Sequence, residues 1–299
     1  MKNKQNAGAL LKMTVSMLIF GSIGLVARGI ALPSAVIALA RGAVGTVFLL
    51  IAGLFLRKKI SLSAWKKNAL PLIISGAAIG FNWIFLFESY RYTTIATATV
   101  CYYTAPVIVV MLSPLVLKER LSPLRMACVA VSLIGIVLVA GDQSIGSGTQ
   151  NLYGIGFGLG AALFYSVIML SNKFLKEIDS MDSTVAQLGI AAVVLLPYVL
   201  LTGQTADLSF NTTTLCLLLI AGIVHTGIGY LLYFSAMQGL SAQSIALCSY
   251  IDPVSAVIFS AVLLSEPMGA LQIVGAVMIL GAAICSQWKA GIGKETKTV

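Results

Sequence analysis

Charge is the scarcest commodity in this chain: Asp, Glu, Lys and Arg make up 10% of its 299 residues, against about 25% in a typical soluble domain. So few charges cannot cover the surface of a water-soluble globule, and 59% of the residues are hydrophobic. With a mean hydropathy of +0.98, the chain reads as a membrane protein. One histidine, His225, and ten acidic residues leave few ways to assemble a metal centre or a Ser-His-Asp constellation, so no enzymatic activity and no cofactor are expected. The five cysteines, Cys101, Cys128, Cys216, Cys248 and Cys285, stand singly inside apolar runs, which excludes a CxxC metal pair and a secreted disulfide framework. There is no GxxxxGK[ST] loop, so ATP is not the driving force within this chain. The net charge of +9 would suit nucleic acid if the Lys and Arg residues shared one polar surface, but they cluster between apolar runs. A membrane face is the expected partner of that charge, not nucleic acid.

Ten apolar runs long enough to cross a hydrocarbon core are separated by short polar turns: 9–29, 35–56, 69–90, 93–116, 124–141, 154–174, 184–202, 213–236, 242–264 and 269–288. The first follows Lys2, Lys4 and Lys12 like a signal peptide, but no small-residue cleavage site follows it, so it is read as an uncleaved span. With the N-terminus inside, all Lys and Arg fall on the cytoplasmic side except Arg28 and Arg91 at external ends and Arg41 within the second run. This asymmetry predicts that both termini are cytoplasmic, with Trp65 and Trp288 as interfacial anchors on that face.

A shift of 147 residues superposes Cys101 on Cys248, Tyr103 on Tyr250, Pro106 on Pro253, Ser113 on Ser260 and Glu119 on Glu266, making runs four and nine equivalent. A shift of 146 sets Gly76 on Gly222 and Ser89 on Ser235. Five runs per copy is an odd number, so the second copy must enter the membrane from the opposite side. Loop charge agrees: RKKISLSAWKKN after run two is matched after run seven by TGQTADLSFNTT, which has no Lys or Arg. The expected fold is therefore an all-α membrane protein with ten transmembrane helices, arranged as two inverted five-helix repeats over residues 1–147 and 148–299.

Ionisable groups inside a bilayer are costly, which makes each one a functional candidate. His225 and Asp252 lie near mid-span, where inverted-repeat carriers bind substrate and coupling ions, against the plainer readings of an interhelical hydrogen bond and a backbone cap. Both are candidates for substrate binding and for handling a coupling proton. Pro106 and Pro253 each remove a helix hydrogen bond at equivalent points of the two halves, which suggests kinks used in gating. Tyr102 and Tyr103 in run four, Tyr250 in run nine, and Asn82 and Trp83 in run three add a polar, aromatic wall suited to an organic solute of modest polarity. Glu88 and Arg91, three residues apart, read as a local ion pair, and Arg41 as a group that snorkels outward, pairs with an acid or holds a substrate carboxylate, the structural roles being favoured. The GIGFGLGA stretch at 154–161 contains G-x-G-x-x-A, but it opens a membrane helix with no strand before it, so it reads as close helix packing, as do Gly76 and Gly80.

The stretches RYTTIATATVCYYTAPVIVVMLSPLVLKERLSP and QGLSAQSIALCSYIDPVSAVIFSAVLLSEPMGALQIVGAVMILGA resemble the two signature blocks of the EamA family within the drug/metabolite transporter superfamily, as do Phe20–Ser22 and Arg41. The resemblance spans all ten runs. It implies ten helices, cytoplasmic termini, a bacterial plasma-membrane location and a central cavity lined mainly by spans one, three, four, six, eight and nine. The implied activity is alternating-access transport of a small organic solute, foremost export of an amino acid or metabolite; the proton, read from His225 and Asp252, is the candidate coupling ion. The alternatives are efflux of cationic compounds, with Asp252 or Glu88 as the cation partner, and, more remotely, a polytopic membrane enzyme. The first run reads SMLIFGSIG and lacks the acid that small multidrug relatives carry there, which speaks against their cation/proton antiport.

Overall fold

The computed structural model describes residues 2–58, 60–118, 122–141, 149–203, 208, 210–237, 239–240, 244–245 and 248–295, with side chains left undescribed at 2–6, 141 and 286–295. Glu119, residues 142–148 and 204–207, and the Trp288 side chain lie outside what is described. The elements are α1 (Lys2–Gly21), α2 (Ile23–Arg28), α3 (Ser34–Phe55), α4 (Leu62–Lys67), α5 (Ala69–Tyr92), α6 (Ile95–Tyr102) and α7 (Ala105–Val116). They continue with α8 (Pro123–Gly141), α9 (Thr149–Asn172), α10 (Ser180–Leu201), α11 (Thr212–Leu219), a π-helix (Ile220–Ile228), α12 (Gly229–Met237), α13 (Ile251–Leu263) and α14 (Ala270–Glu295). No strand occurs among the described residues.

Eight segments are long and apolar enough to cross a membrane: Ala7–Arg28, Ser34–Phe55, Ala69–Tyr92, Ile95–Val116, Pro123–Ala140, Thr149–Asn172, Ser180–Leu201 and Thr212–Met237. The apolar stretches Ile251–Leu263 and Ala270–Cys285 are shorter. Leu54, Phe55, Leu115 and Leu201 are each at least 78% exposed, a distribution that water would penalise and lipid accepts. Helix starts follow local chemistry. Thr94, Asp179 and Asn211 each place a side-chain oxygen on a backbone N–H of the first turn of α6, α10 and α11. On the lysine-rich side, Trp65 in the short α4 donates its indole N–H to Asp182 at 2.6 Å and so ties α4 to α10.

Long central helices pack face to face: α5 lies along α9 and α10, α3 along α10 and the π-helix, α1 along α12 and α13, α6 along α9 and α13, and α8 along α14. With α1–α2 matched to α9, α3 to α10, α5 to α11–α12, α6–α7 to α13 and α8 to α14, exchanging the halves carries each of these contacts onto another of them or, for α3 with α10, α6 with α13 and α8 with α14, onto itself. The backbone shows the same duplication. Lys118 (φ 56°) and Ser265 (φ 53°) adopt the left-handed conformation 147 residues apart, and Arg57 (φ 54°) and Gly203 (φ 68°) do so 146 apart. Such conformations are uncommon for residues other than glycine, so their recurrence at the sequence shift marks equivalent helix ends.

Buried polar side chains link the helices, because a hydroxyl or amide in an apolar interior needs a partner. Gln187 donates to Ser75 Oγ at 2.8 Å and Asn172 Oδ1 at 2.6 Å, and Ser89 donates to the Gly154 carbonyl at 2.7 Å. The glycine run packs closely: a Cβ on Gly158 would meet Cys101 Cβ at 2.9 Å, and one on Gly80 would meet Leu195 Cγ at 2.9 Å.

Candidate functional site

A cavity of about 540 Å³ occupies the centre of the bundle, within the range that encloses a small organic ligand. Its walls come from α1, α2, α3, α5, α6, α9, α10, α12 and α13. Asn82, Trp83, Tyr102, Tyr103 and Asp252 all line it, so five of the sequence candidates meet in one space. His225 and Tyr250 lie outside the lining. His225 is buried, with Nε2 3.0 Å from Ser22 Oγ and Nδ1 3.2 Å from the Ile220 carbonyl; it ties the break between α1 and α2 to the π-helix. Tyr250 is the N-cap residue of α13, and its hydroxyl is buried without a hydrogen-bond partner among the described residues.

The aromatic part of the wall is a stacked set. Tyr102 lies over Tyr165 with centroids 5.0 Å apart and planes 18° apart, and meets Tyr103 edge-on at 5.5 Å. Phe20 packs on Tyr230 at 5.3 Å on another side. Asn82 donates to the Ala161 carbonyl at 2.7 Å, which fixes α5 against α9 beside the cavity. The Tyr103 hydroxyl donates to Asp252 Oδ2 at 2.5 Å, joining the two halves through the equivalent segments that carry Pro106 and Pro253.

The backbone is interrupted where the sequence places those prolines. The fourth span is two helices: α6 stops at Tyr102, and Pro106 sits at the start of α7, where its missing N–H would have had no intrahelical partner. Pro253 likewise occupies the first turn of α13. Each proline therefore begins a half-helix, and Tyr103 and Asp252 stand at these starts with their side chains in the cavity.

Arg41 also lines the cavity and is only 5% exposed. Its guanidinium lies over the Trp83 ring, 4.3 Å from the centroid, and Nε donates to Thr226 Oγ1 at 2.8 Å. Thr226 in turn donates to the Ala221 carbonyl five residues back, at 3.1 Å, within the π-helix. This irregular turn thus supplies the acceptor that orients Arg41. Gly45 of α3 makes room for it, since a side chain there would collide with Thr226.

At the α9 C-terminal end, the cavity continues past Asn172, Leu175 and Ile178 to Ser180 and Thr184, beside the loop that bears Lys173 and Lys176. A polar network stands at the opposite end. Arg28 forms an ion pair with Glu266 and donates to the Tyr90 and Thr93 carbonyls at 2.9 and 2.8 Å. Glu266 also accepts from the Ser260 hydroxyl and, at 3.0 Å, from the Ile95 N–H. A second space of about 520 Å³ lies beyond, lined by Arg28, Pro33 and Phe87, and Tyr90 borders both spaces. Glu88 and Arg91 pair locally at 3.4 Å near this end, as their spacing predicts. Sequence reasoning assigned Glu266 only to a repeated motif and missed its partner Arg28. The signal was available in an external arginine facing a repeated acid.

The EamA-like transporter family matches the chain twice, over residues 7–141 and 152–287. An uncharacterized transporter of Bacillus subtilis, YxxF, is 32% identical over 93% of this chain and 88% of its own length. An uncharacterized transporter of Clostridium kluyveri is 25% identical over 69% of this chain and 68% of its own. A solved crystal structure shares the fold with a TM-score of 0.61 at 20% identity, covering 97% of this chain and 99% of that one. With a family match over both halves and a relative of this similarity across almost its whole length, this chain belongs to the EamA-like transporter family.

Proposed function

We propose that this membrane transporter moves a small organic solute, an amino acid or related metabolite, across a bacterial plasma membrane by alternating access. The observation that carries this reading is the central cavity: its lining reaches Ser180 and Thr184 at the Lys173 end of the bundle, while Arg28 and Glu266, paired at the other end, are not part of it; in this reading that pair is the closure. A carrier needs a central site exposed to one side at a time, and two inverted halves supply it by exchanging conformations. In this reading α13 and α14 complete ten spans, with residues 1–147 and 148–299 as the inverted halves and both termini cytoplasmic. The cavity then opens to the cytoplasm, as loading for export requires. Asn82, Trp83, Tyr102, Tyr103 and Asp252 form the solute wall, and the half-helix starts at Pro106 and Pro253 are the moving parts. His225 and Tyr250 support this wall from behind. The proton is the coupling ion, with Asp252 as the cavity acid that could carry it.

Efflux of organic cations is the second reading, and the carboxylate of Asp252 in the cavity favours it. Proteoliposome exchange tests transport itself: preloaded solute should drive counterflow of labelled solute, and collapsing a pH gradient should abolish accumulation while leaving counterflow intact. Accumulation unaffected by that collapse refutes proton coupling. A cysteine at Ser63 should react with an impermeant maleimide only after cells are permeabilised, whereas one at Gln150 should react in intact cells. The reverse pattern refutes the orientation.

A further inference from the structure

Two opposite charges line the same membrane-embedded cavity without forming an ion pair with each other. Arg41 is more than nine-tenths buried, and of its five N–H donors only Nε is satisfied by a protein acceptor among the described residues. The remaining four N–H groups, on Nη1 and Nη2, have no protein partner there, and Arg41 makes no ion pair with any described residue. Asp252 uses Oδ2 to accept the Tyr103 hydroxyl, and no described donor reaches Oδ1. A guanidinium left with free donors in so buried a place is expensive unless something else pairs with it. The two groups are also held in place. Trp83 and Thr226 hold the guanidinium by stacking and by a hydrogen bond, while Tyr103 and the first turn of α13 hold the carboxylate.

We propose that Arg41 and Asp252 are the two ends of a grip for zwitterions: the guanidinium takes a solute carboxylate through its fork of N–H donors, and Asp252 takes the solute's ammonium. This rests on the carrier reading above and narrows it to solutes bearing both charges. A cation alone leaves Arg41 unpaired and adds repulsion, while an anion alone leaves Asp252 unpaired. A zwitterion satisfies both and brings no net charge into the cavity. Tyr102, Tyr165 and Phe20 then face the remainder of the solute, which favours an apolar side chain.

The test is counterflow into proteoliposomes from three mixtures read by mass spectrometry: the twenty proteinogenic amino acids, their decarboxylated amines, and their 2-oxo acids. The expected result is exchange of amino acids at least about tenfold above either of the other sets, since loss of one charged hydrogen-bonding partner weakens binding by about tenfold to a hundredfold. Arg41→Gln should lose amino-acid exchange and shift preference towards amines; Asp252→Asn should shift it towards 2-oxo acids. Arg41→Lys and Asp252→Glu, which keep the charges, should retain part of the amino-acid preference. The wild-type comparison needs no variant, so a variant that fails to fold does not remove the test. Equal or better exchange of amines by wild type overturns the grip while leaving the carrier reading intact. Exchange of none of the three mixtures overturns the grip, and the carrier reading with it if other metabolites fail too. Unchanged preference in folded Arg41→Gln and Asp252→Asn also overturns the grip.

Discussion

Replacing Glu266 with glutamine should loosen the closed end of the cavity and make the central site accessible from that side. The carboxylate holds three partners from three segments: the Arg28 guanidinium of α2, the Ser260 hydroxyl of α13 and the Ile95 N–H of α6. Glutamine keeps the shape and one acceptor oxygen but removes the charge. Hydrogen bonds to charged groups contribute about 1.5–3 kcal/mol each. The Arg28 side chain is 35% exposed, so its pairing is partly screened by solvent, whereas the Glu266 side chain is only 11% exposed. A net loss of ~1–3 kcal/mol from the closed state corresponds to about a 5- to 150-fold rise in the open-to-closed ratio at this end. The rate at which an impermeant maleimide labels a cysteine at Leu86, which lines the cavity, reads that ratio directly in a background lacking the native cysteines. Glu266→Gln should raise the labelling rate from the Arg28 side by that factor. Arg28→Gln should act similarly, and the double variant should add little, because both remove one interaction. Equal labelling rates in wild type and Glu266→Gln, with matched protein levels, would refute the idea that this network is the closure.

Three further substitutions test the packing and the wall. Trp83→Ala removes the ring beneath Arg41 and should raise the half-saturating solute concentration severalfold; its stability cost should fall below the ~3–5 kcal/mol of a core aromatic deletion because the ring borders the cavity, as thermal unfolding will show. Gly158→Leu should destabilise by about 1–3 kcal/mol or more through collision with Cys101 and Ser89, whereas Gly156→Leu, where nothing lies within 4 Å, should leave the melting temperature unchanged. Pro106→Ala supplies an N–H that can join α6 to α7, so counterflow should slow while the melting temperature moves little; unaltered counterflow would make the proline a passive helix start.

The ten apolar runs were legible because crossing hydrocarbon demands long stretches with few charges, and eight of them return as helices long enough to do so. The duplication was legible in the 147-residue shift, and the same shift reappears in the left-handed residues Lys118 and Ser265. Pattern matching could not reveal that span four is broken at Tyr103 and Thr104, because a proline deletes one hydrogen bond whether it kinks a helix or begins one. It also could not reveal the π-helix, since one extra residue per turn leaves the apolar composition of that segment unchanged.

Arg41 shows most clearly where sequence reasoning stops. An arginine six residues inside a span can snorkel, pair with an acid or face a ligand, and the choice depends on neighbours far away in the chain. Snorkelling needs a path to water along the helix surface, but Gly45 lets α3 approach the π-helix so closely that Thr226, 185 residues away, captures Nε. Trp83, on a third helix, then covers one face of the guanidinium. What remains without a described partner is the edge bearing the unused N–H groups, on a side chain that lines the cavity. The same three contacts that deny Arg41 a route to the interface leave its other donors without a described partner, so the role proposed for it follows from packing between helices and not from its position within one.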